Sequence, residues 1–187
     1  MSASTALLVI DVQESFRHRP YFTEGEMHAY LARQQRLIDG AKAAGIPVVQ
    51  IFHVEEEGPF SEASGYVVPF AGLKLEADVV FRKTRHSALA GTPLEIWLRE
   101  RGIGHLLVSG IRTEQCCETT TRHASDVGFT VDYVSEATHT FAMEDRNGRV
   151  WSPDEIRART ELVLDGRFAR IVTIDEALSA LSAKKAA

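Results

Sequence analysis

Six short runs dominated by Val, Ile and Leu recur along the chain, at residues 6–10, 47–52, 78–81, 105–109, 130–134 and 170–173. Most are separated by segments of helical spacing. Apolar runs without polar alternation suit parallel strands covered on both faces, and parallel neighbours need a crossover that is usually helical. The clearest crossover is 26–44, where Met27, Tyr30, Leu31, Gln34, Leu37, Ile38 and Ala41 repeat at helical intervals before Gly45 and Pro47 close the segment. Further helices are expected over 92–101, 113–127, 153–164 and 175–183, with the tail 182–187 a fraying helix end. The alternation predicts a doubly wound, Rossmann-like, three-layer α/β/α domain. At 187 residues and 44% apolar content the chain has enough hydrophobic surface for one continuous core, so a single domain over 1–187 is expected. Two stretches, 54–75 and 136–152, lack periodicity, and irregular loops of that length often serve function. They are expected to wall a pocket or to meet another subunit.

Charge and cysteine usage exclude several function classes. The formal charge of −5 arises from 26 acidic and 21 basic residues spread along the chain, with no basic run to neutralise a phosphate backbone, so nucleic acid is not an expected partner. The opening MSASTALLVIDVQ lacks a basic leader, and Asp11 interrupts its apolar run, so it reads as a strand and not as a signal peptide. No apolar stretch approaches the ~20 residues of a membrane helix. A cytoplasmic location and no membrane partner are expected. The only cysteines, Cys116 and Cys117, are neighbours, which offers neither a disulfide framework nor spaced metal ligands.

In open α/β sheets ligands bind beyond the carboxyl ends of the strands, where strand order reverses. Asp11 follows the first run, Lys83 follows the third by two residues, and Cys116 lies just past Gly110 at the end of the fourth. The segment LLVSGIRTEQCCETT reads as strand, glycine turn and helix, with Thr113 as N-cap and Cys116 at the third helical position. At a helix start the free N–H groups favour a thiolate and can hold an oxyanion. A buried cysteine can also be a small hydrophobe. Cys117, roughly 100° around the helix from Cys116, reads as core. Asp11 is a candidate general base for the thiol or a carboxylate paired with Lys83; Lys83 either holds Asp11 ionised or is a solvated loop residue.

The blocks LLVIDVQ, FRKTRHSALAGTPLEIWLRERGI and LLVSGIRTEQCCETTTRHASDVGFTV, in that order and spacing, resemble the isochorismatase-like superfamily of cysteine hydrolases. The resemblance spans about residues 7–137. It implies a sheet of six parallel strands, a homo-oligomer of two or more subunits, and a catalytic Asp, Lys and Cys at Asp11, Lys83 and Cys116. It further implies a non-proline cis peptide between Ile111 and Arg112, with the N–H groups of Arg112 and Cys116 as the oxyanion hole. The implied reaction is metal-independent hydrolysis of an amide-type C–N bond in a small molecule through a Cys116 thioester.

The sequence also departs from the family pattern. Nicotinamidase-like members bind a metal through an Asp, a His two residues on and a second His downstream. Here His53 matches the first His, but Ile51 stands at the carboxylate position and no histidine lies between His53 and His86, so neither a metal nor another cofactor is expected. His53 then reads as a core or pocket residue, and His86, His123 and His139 as structural. Arg112 stands where small side chains are common; it either binds a substrate carboxylate or pairs with Glu114 or Glu118. Phe16, Arg17 and Tyr21, just after Asp11, are candidates for the pocket wall. Two other activities remain open: ether or ester hydrolysis of the isochorismatase type, and a non-catalytic thiol redox sensor built on Cys116 and Cys117.

Overall fold

The computed structural model describes residues 4–186, with side-chain burial given to residue 183; residues 1–3 of the opening and residue 187 of the tail lie outside the described part. The elements follow in the order β1 (Ser4–Ile10), α1 (Met27–Ala44), β2 (Val48–His53), β3 (Val79–Lys83), α2 (Leu94–Glu100), β4 (Ile103–Ile111), α3 (Glu118–Asp126), β5 (Thr130–His139), β6 (Met143–Glu144), β7 (Val150–Trp151), α4 (Pro153–Leu164), β8 (Arg170–Val172) and α5 (Ile174–Ala186). Six strands form a wholly parallel sheet in the order β3-β2-β1-β4-β5-β8, and β6 pairs antiparallel with β7 in a small hairpin. The expected six-strand α/β/α architecture is therefore present.

Alternation along β1 explains the layers. Leu7 and Val9 pack on one face with Leu37 and Ile38 of α1 and Ala177 of α5, whereas Ala6, Leu8 and Ile10 pack on the other with Leu94 and Leu98 of α2 and Ala124 of α3. Helix α1 ends as read, at Gly45, whose left-handed backbone (φ 74°) lets its N–H reach the carbonyls of Ala41 and Lys42. Helix α4 starts on a capping box, the Ser152 side chain accepting from Glu155 N while the Glu155 carboxylate accepts from Ser152 N.

Three sequence expectations are corrected. The strand expected over 130–134 continues to His139, because three additional residues bulge out between the pairings Val108↔Tyr133 and Gly110↔Thr138. The helix expected over 113–127 begins as a π turn, Thr113–Cys117, with Gln115 N and Cys117 N both donating to Arg112 O at 3.2 Å. Thr113 is not its N-cap: Arg112 occupies that place, and the Thr113 hydroxyl donates to Thr138 Oγ1 at 2.9 Å. No helix among the described residues is long and apolar enough to cross a membrane.

Strand order reverses between β1 and β4, whose carboxyl ends open the crevice. The two strands approach closely there at Gly110, where a Cβ would lie 2.0 Å from Ile10 O and the backbone takes φ 132°.

Candidate active site

Three strand ends deliver three reactive side chains to one point. Asp11, the residue after β1, adopts φ 53°, a left-handed conformation uncommon for a residue with a side chain. Its backbone is held there by Asp11 N donating to Ile51 O at 2.8 Å and Gln13 N donating to Asp11 O at 2.9 Å. Lys83 ends β3 in register with His53 at the end of β2. Cys116 lies in the π turn that follows β4, and the peptide entering that turn, Ile111–Arg112, is cis.

The Lys83 ammonium has three N–H donors and three partners: Asp11 Oδ2 at 2.7 Å, Cys116 Sγ at 3.3 Å and His53 Nδ1 at 3.3 Å. Because an ammonium only donates, His53 must present an unprotonated Nδ1, which leaves its Nε2 as the N–H, 3.8 Å from Glu55 Oε1. Gln13 fixes this histidine at the strand end, accepting from His53 N at 2.9 Å and donating to His53 O at 3.1 Å. Neither Asp11 oxygen completes a hydrogen bond of ordinary geometry, so the carboxylate holds Lys83 by charge and stays an open acceptor.

Electrostatics follow from this burial. The Asp11 and Lys83 side chains have no exposed surface. Burial works against the Lys83 ammonium, but Asp11 and Cys116 more than offset it and hold its pKa above the ordinary lysine value. Burial and then Lys83 lower the pKa of His53, which favours the neutral ring. Burial, followed by Asp11, raises the pKa of the Cys116 thiol, with Lys83 opposing. This overturns the expectation that the helix start favours a thiolate: a carboxylate beside a desolvated sulfur outweighs the local N–H groups. Cys117 is fully buried and its pKa is also raised, by burial first. An easily oxidised pair needs exposed, low-pKa thiols, so this environment disfavours a redox sensor.

A cavity of about 80 Å³ opens above the trio, floored by Asp11 and Cys116 and walled by Phe16, Tyr21, His53 and Arg112. Arg17 is not part of it: its Nε donates to Glu14 at 2.9 Å, another of its nitrogens meets Glu24, and its guanidinium lies over Phe22 and Phe70. The wall is completed by Glu55 and Phe60, from the stretch 54–75 expected to wall a pocket, and by Arg19, His86 and Gln115, which sequence reasoning did not single out. Arg19 donates to Glu55 at 2.6 Å and covers the Phe60 ring at 4.7 Å. His86, read as structural, faces His53 with parallel rings 6.4 Å apart and brings Nδ1 to 3.9 Å from Cys116 Sγ. His123 binds Ser87 at 2.8 Å, and His139 is buried against Tyr30 and Phe141.

The family metal site finds no matching ligands here. Ile51 contributes hydrocarbon, His53 Nδ1 faces an ammonium, and no group of three His, Cys, Asp or Glu among the described residues is arranged around a common point. Arg112 is buried, pairs through Nε with Glu114 Oε1 at 3.0 Å, and lies 4.9 Å from the Tyr21 ring centre.

The isochorismatase domain profile matches residues 5–153. The uncharacterised isochorismatase family protein YrdC of Bacillus subtilis (strain 168) is 27% identical over 185 residues, covering 96% of this chain and 97% of that protein. The ureidoacrylate amidohydrolase RutB of Methylobacterium radiotolerans is 30% identical over 178 residues, covering 73% of this chain and 67% of that enzyme. Among solved structures, an isochorismatase-type protein of Burkholderia xenovorans LB400 superposes with a TM-score of 0.87 at 31% identity, covering 97% of this chain and 89% of that one.

Proposed function

Since the chain belongs to the isochorismatase family of hydrolases, we propose that it is a metal-independent cysteine hydrolase that cleaves an amide-type C–N bond of a small molecule. The observation that carries this reading is the convergence of Asp11, Lys83 and Cys116: Asp11 and Cys116 line one cavity, and Lys83 Nζ lies 2.7 Å from the carboxylate and 3.3 Å from the sulfur. The amidohydrolase activity of the RutB relatives supports the bond class.

Catalysis starts from a neutral thiol. Asp11, whose carboxylate oxygens have acceptor capacity left, takes the Cys116 proton as sulfur attacks the carbonyl carbon. Lys83 faces Asp11, Cys116 and His53 at once, so it acts by charge and position: it stabilises the sulfur while its negative charge forms and keeps Asp11 in place. The N–H groups of Arg112 and Cys116 hold the tetrahedral oxyanion. Asp11 then passes the proton to the departing nitrogen, and water resolves the thioester.

Ammonia release from a panel of primary amides and ureido compounds tests the reading, together with mass spectrometry of the quenched protein for an acyl adduct on Cys116. Cys116→Ala should fold normally and release no ammonia; full turnover in that variant rejects the mechanism.

A further inference from the structure

Resting on the amidase reading, we infer that the substrate is a short amide bearing a carboxylate, and that the Arg112 guanidinium is the group that selects it. Arg112 lies four residues before the nucleophile, at the cap of the π turn that holds Cys116, so its side chain and the sulfur are placed by one piece of backbone. Both residues line the same cavity.

Part of the guanidinium is already used within the protein, including a hydrogen bond to the Tyr21 side chain. Its Nε edge faces Glu114 Oε1 at 3.0 Å and the Thr140 hydroxyl at 3.5 Å, which anchor the side chain to the π turn and to the segment after β5. Its plane packs against Tyr21 at 4.9 Å and Phe141 at 5.8 Å. Nη2, however, is buried with no hydrogen-bond partner. A buried donor on a charged group is costly to leave unmade, and a guanidinium is the side chain suited to a carboxylate through paired N–H groups. The aromatic packing and the Glu114 anchor supply the orientation in advance, so binding does not have to order a flexible arginine.

Two further observations limit the ligand. The Gln115 side chain also lines the cavity and makes no hydrogen bond to any described residue, which leaves an amide-complementary group beside the carboxylate site. The cavity holds about 80 Å³, well below the roughly 300 to 1,000 Å³ of sites for drug-sized ligands, so scissile carbon and carboxylate must be separated by only a few bonds. Malonamate, a three-carbon chain with an amide at one end and a carboxylate at the other, has these properties. In its hydrolysis the Cys116 S–C bond forms first, giving the tetrahedral oxyanion, whose collapse breaks the C–N bond. Asp11 carries the thiol proton to the departing ammonia, and water then gives malonate and restores the thiol.

The test compares malonamate with malonamide, which replaces the carboxylate by a neutral amide. Calorimetric titration of the Cys116→Ser protein reads binding without turnover. Malonamate should bind about 10- to 100-fold more tightly than malonamide, as expected for a charged hydrogen-bonded pair. The advantage should disappear in Cys116→Ser/Arg112→Met and be retained in part in Cys116→Ser/Arg112→Lys, which keeps the charge but loses the fork. No preference for malonamate in the Cys116→Ser protein overturns the inference without any change at Arg112, so misfolding of an Arg112 variant cannot hide a negative. A preference that survives Arg112→Met also overturns it and leaves the arginine a structural tie between β4 and β5. Arg112-dependent malonamate binding with no amide turnover in the wild-type protein upholds the carboxylate site and rejects the amidase reading.

Discussion

Lys83 Nζ lies 2.7 Å from Asp11 Oδ2 with both side chains removed from solvent, an ion pair that joins the end of β3 to the end of β1 across the width of β2. Neutralising one member strands the other as an unpaired buried charge. Asp11→Asn and Lys83→Met should each lower stability by about 3–5 kcal/mol in urea unfolding, and the double variant should recover a large part of that loss while remaining inactive. Asn tolerates the left-handed backbone at position 11, so the effect of Asp11→Asn reads charge and not conformation. Additive losses in the double variant would show that the pair is not coupled.

The thiol should be quiet at neutral pH. With burial and Asp11 raising its pKa, Cys116 in the free protein should react slowly with iodoacetamide at pH 7.5, and its rate should still be rising at pH 10. Asp11→Asn removes the carboxylate that holds the proton on sulfur and should speed alkylation at pH 7.5 by about tenfold. A rate that levels off below pH 8 contradicts this account of the site.

His53 should act as a positioning residue through Lys83. Its Nδ1 accepts from the ammonium at 3.3 Å, a role that the Asn side-chain oxygen can reproduce and a Leu side chain cannot. His53→Leu should lose about 100-fold in kcat with little change in KM, while His53→Asn should retain most of the activity. The folded-state pKa of His53 is lowered, so the ring stays neutral until the pH falls below the ordinary histidine range; once protonated, it no longer accepts from Lys83. Activity of the wild type should therefore fall on the acid side with a contribution that His53→Asn lacks. Equal kcat losses in both variants would assign His53 to packing alone.

His139 should make stability depend on pH. Burial, with Arg157, Arg33 and Arg112 nearby, lowers its pKa to about 4, and neither ring nitrogen has a hydrogen-bond partner. The unfolded chain binds this proton near pH 6.5, so stability is complete above that value and is lost as the pH falls from about 6.5 toward 4. The loss should be on the order of 3 kcal/mol at pH 4, and His139→Phe should flatten the profile across this window. An unchanged slope in the variant, measured by urea unfolding at several pH values, would place the dependence on other groups.

Sheet and helices were legible because their physics is periodic. Parallel strands covered on both faces leave unbroken apolar runs, and the side of α1 that packs on β1 is marked by Leu37, Ile38 and Ala41. The positions of Asp11, Lys83 and Cys116 were legible for a related reason: each is a reactive residue at the carboxyl end of a readable strand. The cavity wall was legible in part: Phe16, Tyr21, His53 and Arg112 were read as pocket residues, and the stretch 54–75, expected to wall a pocket, supplies Glu55 and Phe60. Arg19 and His86 were not read, because they come from irregular segments where conformation follows from packing and not from local pattern. Arg17 and Arg19 leave the same short turn, yet only Arg19 meets the cavity; nothing in their two-residue separation foretells that. The ionisation of Cys116 was misjudged because a helix start is a local property, whereas the burial and the carboxylate that dominate it arrive from other strands.

Gly110 has a consequence for how far this crevice can drift. Its missing side chain is what allows β4, six residues before Cys116, to lie against the carbonyl of Ile10, one residue before Asp11. A single methyl group at that point would wedge the two central strands apart and widen the gap between acid and nucleophile together. The gauge of the site is thus set by a hydrogen atom, on a residue that has no chemistry of its own.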